Sequence, residues 1–248
     1  MLEKKLVKPL LSFNMQRIDS LFPGFGEGDC TILYGMSTIL PLSLLLAVRA
    51  QLPVQLGGLE TNVVFIDGGN TFRLYQVSRI AQQHQLDPRQ VLGRIYISRA
   101  FTAYQMTSLI LEKMEETVER FRSKLVIISD IAGLYLDTDV PLKEAKEVFN
   151  QLTLYISKFA EENRLIVLGT CLPHSDSRRG SFFKAVACGR ANVVLSVKPS
   201  RFGKRFFLEK HFVFPLGYAD FPSEDLTLDR FMEDGWKWEK RLNLIEWH

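Results

Sequence analysis

One stretch brings together residue types at a spacing that approaches a recognisable chemistry: Glu27 to Leu46, EGDCTILYGMSTILPLSLLL. An apolar strand over Cys30 to Tyr34, a glycine at Gly35 and a long apolar helix from Ile39 follow in the order that a phosphate-binding loop requires. A working loop reads G-x-x-x-x-G-K-[ST]. Its glycines free main-chain N–H groups to cradle phosphates, its lysine reaches the terminal phosphates, and its hydroxyl binds magnesium. Counting from Gly35 puts Leu40 at the second glycine, Pro41 at the lysine and Leu42 at the hydroxyl. The order is kept and the ligands are not. Ser37 and Thr38 can offer hydroxyls and N–H groups to an anion at the helix start, or can cap that helix.

The remaining polar candidates are scattered. Asp67, at the end of the run Asn62 to Asp67, can touch a nucleotide or a partner, or cap the turn that follows it. His84, His174, His211 and His248 lack the mutual spacing of a metal site, so no metal is expected. Ser175, His174 and Asp176 are adjacent in sequence, and adjacent residues do not form a catalytic triad.

These residues must be positioned by an α/β architecture. Asn62 to Asp67 (NVVFID), Lys124 to Ile131 (KLVIISDI) and Leu165 to Thr170 (LIVLGT) are continuous apolar runs of the kind that parallel strands buried on both faces show. Ile95 to Ser98 is a shorter strand. Helices are predicted over Ile39 to Gln51, Phe72 to Gln85, Tyr104 to Arg122 and Leu142 to Asn163, with Pro41 tolerated only in a first turn. Pro173 to Ala191 reads as a long basic loop with one helical turn near Phe182. Asn192 to Val197 and Phe206 to His211, separated by the turn-rich Lys198 to Arg205, predict an antiparallel hairpin at the sheet edge. Strands alternating with helices and then a hairpin imply a mostly parallel sheet.

The chain has 248 residues, 46% apolar and 24% charged, enough for one large core. One domain over 1–248 is expected, with an amphipathic lead over 1–20 and a docked tail over 222–248 that carries Trp236, Trp238 and Trp247. A net charge of only +3 means that nucleic-acid binding must come from local clustering. Three cysteines, Cys30, Cys171 and Cys188, suit neither a disulfide framework nor a zinc site. A cytoplasmic setting is expected, without a signal peptide or membrane contact, because the longest apolar run, Ile39 to Val48, is too short to span a bilayer.

Several stretches together resemble the RecA-like recombinases, specifically the RadA type of archaea and its paralogues. QLPVQLGGLETNVVFIDGGNTFR (Gln51 to Arg73), LDPRQVLGRIYISRAF (Leu86 to Phe101), KLVIISDIAGLY (Lys124 to Tyr135) and the FGKR turn (Phe202 to Arg205) match that family in order, over roughly residues 12 to 221. The resemblance implies a RecA-like P-loop NTPase core. It also assigns catalytic positions. The loop lysine falls on Pro41, the glutamate that orients the attacking water on Gly69, and the metal-linked aspartate on Ser129, with Asp130 one place later. A one-residue slip along a strand turns a side chain to the opposite face, so Asp130 replaces Ser129 only if a bulge intervenes. With three parts of phosphoryl-transfer chemistry missing or displaced, a pseudo-ATPase with weak or no binding of ATP and magnesium is expected.

The family binds DNA through two loops after its second and third core strands. Here the first, Leu136 to Lys146, is acidic at Asp137 and Asp139. The second, His174 to Arg190, interleaves Arg178, Arg179, Lys184 and Arg190 with Phe182 and Phe183, and the hairpin adds Lys198, Arg201, Lys204, Arg205 and Lys210. Cations between aromatics suit a single strand. A merely solvated loop, with Phe182 and Phe183 docking it to the core, is the alternative reading. The family's aromatic and alanine polymerisation motif has no counterpart in Met1 to Leu21, so a dimer or hetero-oligomer is expected rather than a long self-filament. The expected role is that of a non-catalytic RadA-like paralogue, an accessory factor in DNA recombination or repair that binds DNA, a RadA-type recombinase or another paralogue. The alternatives are a divergent RecA-like ATPase and a purely structural interaction protein without DNA contact.

Overall fold

Strands buried on both faces need helices above and below them, and the chain supplies both layers. The computed structural model describes residues 10–174, 177–201 and 203–221; the expected docked tail over 222–248, like Ser175, Asp176, Phe202 and the first nine residues, lies outside the described residues. In chain order the elements are α1 (Gln16–Leu21), β1 (Cys30–Gly35), α2 (Ile39–Arg49), β2 (Asn62–Asp67), α3 (Leu74–Gln83), α4 (Pro88–Gly93), β3 (Ile95–Arg99) and α5 (Ala103–Ser108). A π-helical stretch, Leu109–Lys113, joins α5 to α6 (Met114–Phe121), and β4 (Ser123–Ser129), α7 (Leu142–Glu162), β5 (Ile166–Cys171), α8 (Arg178–Arg190), β6 (Val193–Ser200), β7 (Gly203–Lys210) and β8 (Gly217–Phe221) follow.

The eight strands form one sheet in the order β3-β2-β4-β5-β1-β6-β7-β8. The six from β3 to β6 run parallel, and β7 and β8 extend the sheet antiparallel. This is the mostly parallel α/β sheet with a C-terminal antiparallel hairpin that the sequence predicts, and β5 stands between β1 and β4. Successive residues of a strand face opposite layers. Leu33, Val63, Phe65, Leu125, Ile127 and Leu168 pack with α2 and α3, whereas Ile32, Val64, Ile66, Val126, Ile128 and Val167 pack with the layer of α5 to α8.

Three segments stand out against the sequence expectation. Pro173 to Ala191 is not mainly loop: α8 occupies Arg178–Arg190, capped by Ser177, whose hydroxyl accepts from the Gly180 N–H at 3.0 Å. The hairpin loop is much shorter than Lys198 to Arg205, because β6 and β7 stay paired out to Ser200 and Gly203. Pro199 is tolerated there because β1 pairs with β6 only as far as Val197, leaving that side of the strand open. The third, β8, is polar and short (GYADF), and was not anticipated.

Candidate functional site

The turn after β1 is built by three residues, Met36, Ser37 and Thr38, between Gly35 and the start of α2. Gly35 has φ +118°, and a Cβ on it would stand 2.1 Å from the Val197 carbonyl oxygen, so β6 presses directly on the turn and only glycine fits. Within the turn the Met36 N–H is engaged by β6, whereas the N–H groups of Ser37 and Thr38 have no hydrogen-bond partner among the described residues; the donors that follow serve the start of α2. Met36 N–H donates to Val197 at 3.0 Å, Ile39 to Met36 at 3.0 Å, Leu40 to Ser37 at 3.1 Å and Leu42 to Thr38 at 3.3 Å. Pro41, third in the helix, has no N–H. Thr38 is already helical in conformation and makes no side-chain cap, so the capping role open to it from sequence is not used. Met36 and Leu40 pack against the apolar layer under α2. A cradle needs several converging N–H groups. This turn directs one of its three, that of Met36, at β6, and Pro41 removes another from the first turn of α2.

Across the sheet crest, at the ends of β2 and β4, the chain buries two carboxylates. Asp67 is fully buried and accepts from Thr71 N–H (2.8 Å), Thr71 Oγ1 (3.2 Å), Phe72 N–H (3.3 Å) and Ser129 Oγ (2.8 Å). Arg99 Nε of β3 adds an ion pair at 3.3 Å. These donors saturate the carboxylate, so Asp67 caps the next turn and pins β3 and β4 to β2.

Asp130 lies just past β4 in a left-handed conformation (φ +48°), with no bulge to realign it on Ser129. Its N–H donates to Thr170 Oγ1 at 2.9 Å. Its carboxylate accepts from Leu172 N–H at 3.1 Å and meets His174 Nε2 at 3.0 Å from either oxygen. The side chain is therefore turned toward the segment after β5. A Cβ on Gly69 would come within 2.9 Å of Asp130 Cβ and 2.8 Å of Thr71 Cγ2, and one on Gly133 within 2.1 Å of Asp130 Oδ2. The small residue at 69 and the placement of Asp130 thus require each other; from sequence they counted as independent departures.

The basic residues singled out for DNA divide into two sets. Arg179 donates to the carbonyls of Tyr135 (2.8 Å) and Val140 (2.9 Å), and Phe183 beneath it is fully buried. Arg205 forms a two-pronged pair with Asp220 at 2.6 and 2.8 Å, Lys198 pairs with Glu209 at 2.8 Å, and Lys210 donates to Gly189 and Ala191 carbonyls. Those cations hold the fold together. Phe182 is half-buried under Lys146, whose Nζ is 4.4 Å from its ring centre. Arg178, Lys184, Arg190 and Arg201 are exposed and Lys204 half-buried, without ion pairs among the described residues.

A family model described as Rad51 matches residues 12–187. The chain belongs to the Rad51 family. Among curated relatives, the meiotic recombination protein DMC1 of Saccharomyces cerevisiae is 28% identical over 213 residues, 81% of this chain and 61% of that protein. The DNA repair and recombination protein RadA of Cenarchaeum symbiosum is 28% identical over 158 residues, 62% of this chain and 37% of that protein. The Rad51-family chain therefore spans less than two thirds of the length of these relatives.

Several polar groups of this Rad51-family chain had no signal in sequence. His174 and Asp130 are 44 residues apart, and Arg99 and Asp67 are joined only by the pairing of β2 with β3. A cluster around Glu209 on β7 is likewise long-range: it accepts from Tyr34 Oη at 2.6 Å, Ser196 Oγ at 2.7 Å and Lys198 Nζ at 2.8 Å. Burial alone would raise the Glu209 carboxyl, and these three donors outweigh it and hold it below its usual range. Burial, and then the bond to Glu209, push the Tyr34 phenol well up. The thiols of Cys30, Cys171 and Cys188 are all free and all raised by burial, which makes them poor nucleophiles.

Proposed function

We propose that this chain is a non-catalytic paralogue within the Rad51 family, a single RecA-like unit that serves DNA recombination or repair as an accessory factor. The observation that carries the reading is the turn after β1, where Pro41 stands at the lysine position and supplies no N–H, Leu40 and Leu42 stand at the second glycine and the hydroxyl, and the Met36 N–H is held by the Val197 carbonyl. The saturation of Asp67 and the seat of Asp130 against Gly69, with its carboxylate turned to Leu172 and His174, support it. Isothermal titration with ATP and magnesium tests it directly. No heat of binding at millimolar nucleotide is expected; hydrolysis that is lost in Asp130→Ala would instead favour a divergent ATPase.

Two surfaces support contacts with partners. At the ends of β2 and β3, Leu74, Tyr75, Ile97, Phe101 and Tyr104 are exposed around the edge strand β3, an apolar patch of the kind that marks protein association. This suits a recombinase or paralogue subunit in a dimer or hetero-oligomer. The DNA contact narrows to Arg178, Lys184, Arg190, Arg201 and Lys204. Binding of a labelled single strand at low salt, weakened when Arg178, Lys184 and Arg201 become Ala, is the expected result. Binding that is absent at low salt removes the DNA contact and leaves a purely structural partner.

A further inference from the structure

The antiparallel end of the sheet is buried on one face and open on the other. On β7, Phe206 and Leu208 are buried in the layer of α2 and α3, whereas Arg205, Phe207 and Glu209, which point the other way, are only half-buried. On β8 the open face continues with Tyr218, paired with Phe207 and 58% exposed. The connection from β7 to β8 extends it. The N–H groups of Val213 and Phe214 both donate to His211 Nδ1, at 2.9 and 3.0 Å, and the Phe214 ring packs on His211 and Phe22. The loop is thereby fixed in shape, and it presents Phe212, Val213 and Leu216 at 98%, 74% and 60% exposure. Exposed apolar side chains grouped on a fixed loop and the adjoining strand mark a docking surface.

The chemistry of this strip favours an apolar polypeptide over a nucleic acid. Lys198 Nζ lies 4.7 Å from the centre of the Phe207 ring and the Arg205 guanidinium 4.1 Å from that of Tyr218, and the two cations pair with Glu209 and Asp220. A strand of bases would have to displace a cation from each ring and bring its phosphates to two carboxylates. Residues 222–248 suit the strip better. They follow Phe221 directly and carry Trp236, Trp238 and Trp247. They also begin with an acidic run, Glu224 to Asp234, beside the end of β8 where Phe221 pairs with Lys204 and Arg201 is exposed. β8 is five residues long, roughly 17 Å at the rise of a strand, a distance that the segment after Phe221 can retrace. Tethering gives that segment a high effective concentration that a separate partner must overcome.

We propose that residues 222–248 dock on their own chain across Phe212, Val213, Leu216 and Tyr218, with the acidic run beside Lys204 and Arg201, so that this face is covered from within. The test is intrinsic fluorescence of the full chain, because its three tryptophans all lie in this segment and report on it alone. The wild type should emit to the blue of the urea-unfolded chain and resist acrylamide quenching, independently of protein concentration. Phe212→Ser combined with Leu216→Ser, and separately Tyr218→Ser, should move both readouts toward the unfolded values with far-UV circular dichroism unchanged, since these side chains are exposed. Wild-type tryptophans as quenchable as those of the unfolded chain overturn the proposal. Protection that is equal in the wild type and both variants also overturns it, because the segment then docks elsewhere. Protection lost on dilution overturns docking within one chain and assigns the surface to a second copy.

Discussion

At the end of β1 the chain fixes its turn through main-chain bonds from Met36, Ile39, Leu40 and Leu42, with no side-chain partner among the described residues, and covers it with Met36 and Leu40. At the ends of β2 and β4 it does the opposite, burying Asp67 and Asp130 and surrounding them with donors from four other segments. The first arrangement depends on few side-chain identities beyond Gly35. The second depends on nearly every residue in it, because a buried carboxylate that loses a donor, or a buried donor that loses its carboxylate, is left unsatisfied. Two neighbouring pieces of one crest therefore differ in how much substitution each can absorb.

The largest effect expected is at the carboxylate side. Asp67→Ala strands two N–H groups, two hydroxyls and Arg99 at once and should cost about 3–5 kcal/mol in urea unfolding; a loss below about 1 kcal/mol would show that the crest can relax. Gly35→Ala probes the one brittle point of the turn. With φ +118° and the Val197 carbonyl at 2.1 Å from the new methyl, a loss of about 3 kcal/mol is expected by the same measurement.

A half-buried carboxylate, Asp19, shows whether such brittleness depends on pH. Burial raises Asp19 to about 6, despite the pull of Arg49, and burial lowers His84 to about 4. Between about pH 4 and 6 the folded chain holds its extra proton on Asp19 while the unfolded chain holds it on His84, so the two contributions offset. Asp19→Asn removes only the first. Its stability should then fall by roughly 1.4 kcal/mol per pH unit from about pH 6 to about 4 relative to wild type, because the unfolded state alone takes up a proton. Parallel slopes in the two proteins would refute the offset. Ser129→Ala, which removes one of the five contacts to Asp67, should cost about 1–2 kcal/mol in chemical denaturation. Smallest of all, Pro41→Lys should change stability by less than about 1 kcal/mol and leave calorimetry with ATP and magnesium silent, since Leu40 and Leu42 still stand at the second glycine and the hydroxyl. Nucleotide binding by that variant would break the contrast between the two regions.

The inner strands were legible in sequence because both of their faces are apolar: NVVFID is β2 residue for residue, and KLVIISDI and LIVLGT differ from β4 and β5 only at their ends. The helix α8 was not, since Arg178, Arg179, Gly180 and Gly189 give it a polar start and poor helix formers. Its true signal was Ser177 as an N-cap three residues before Gly180. The candidate site was legible only in part. Gly35, Pro41, Gly69 and Ser129 could be placed by their resemblance, but the contacts around them follow from main-chain geometry and have no residue signature. The pairing of His174 with Asp130 required the neighbouring register of β4 and β5. Arg179 looked as available to DNA as Arg178, and only the fold separates them.

The way Arg179 is held has a consequence for how this chain can change. Its guanidinium grips the carbonyls of Tyr135 and Val140, acceptors that every residue type carries. The seat of α8 is consequently blind to which side chains stand at those two positions and sensitive to the path of the chain between them. Lineages of this protein can exchange residues along 136–141 without dislodging the grip, whereas a one-residue insertion or deletion there would shift a carbonyl out of reach.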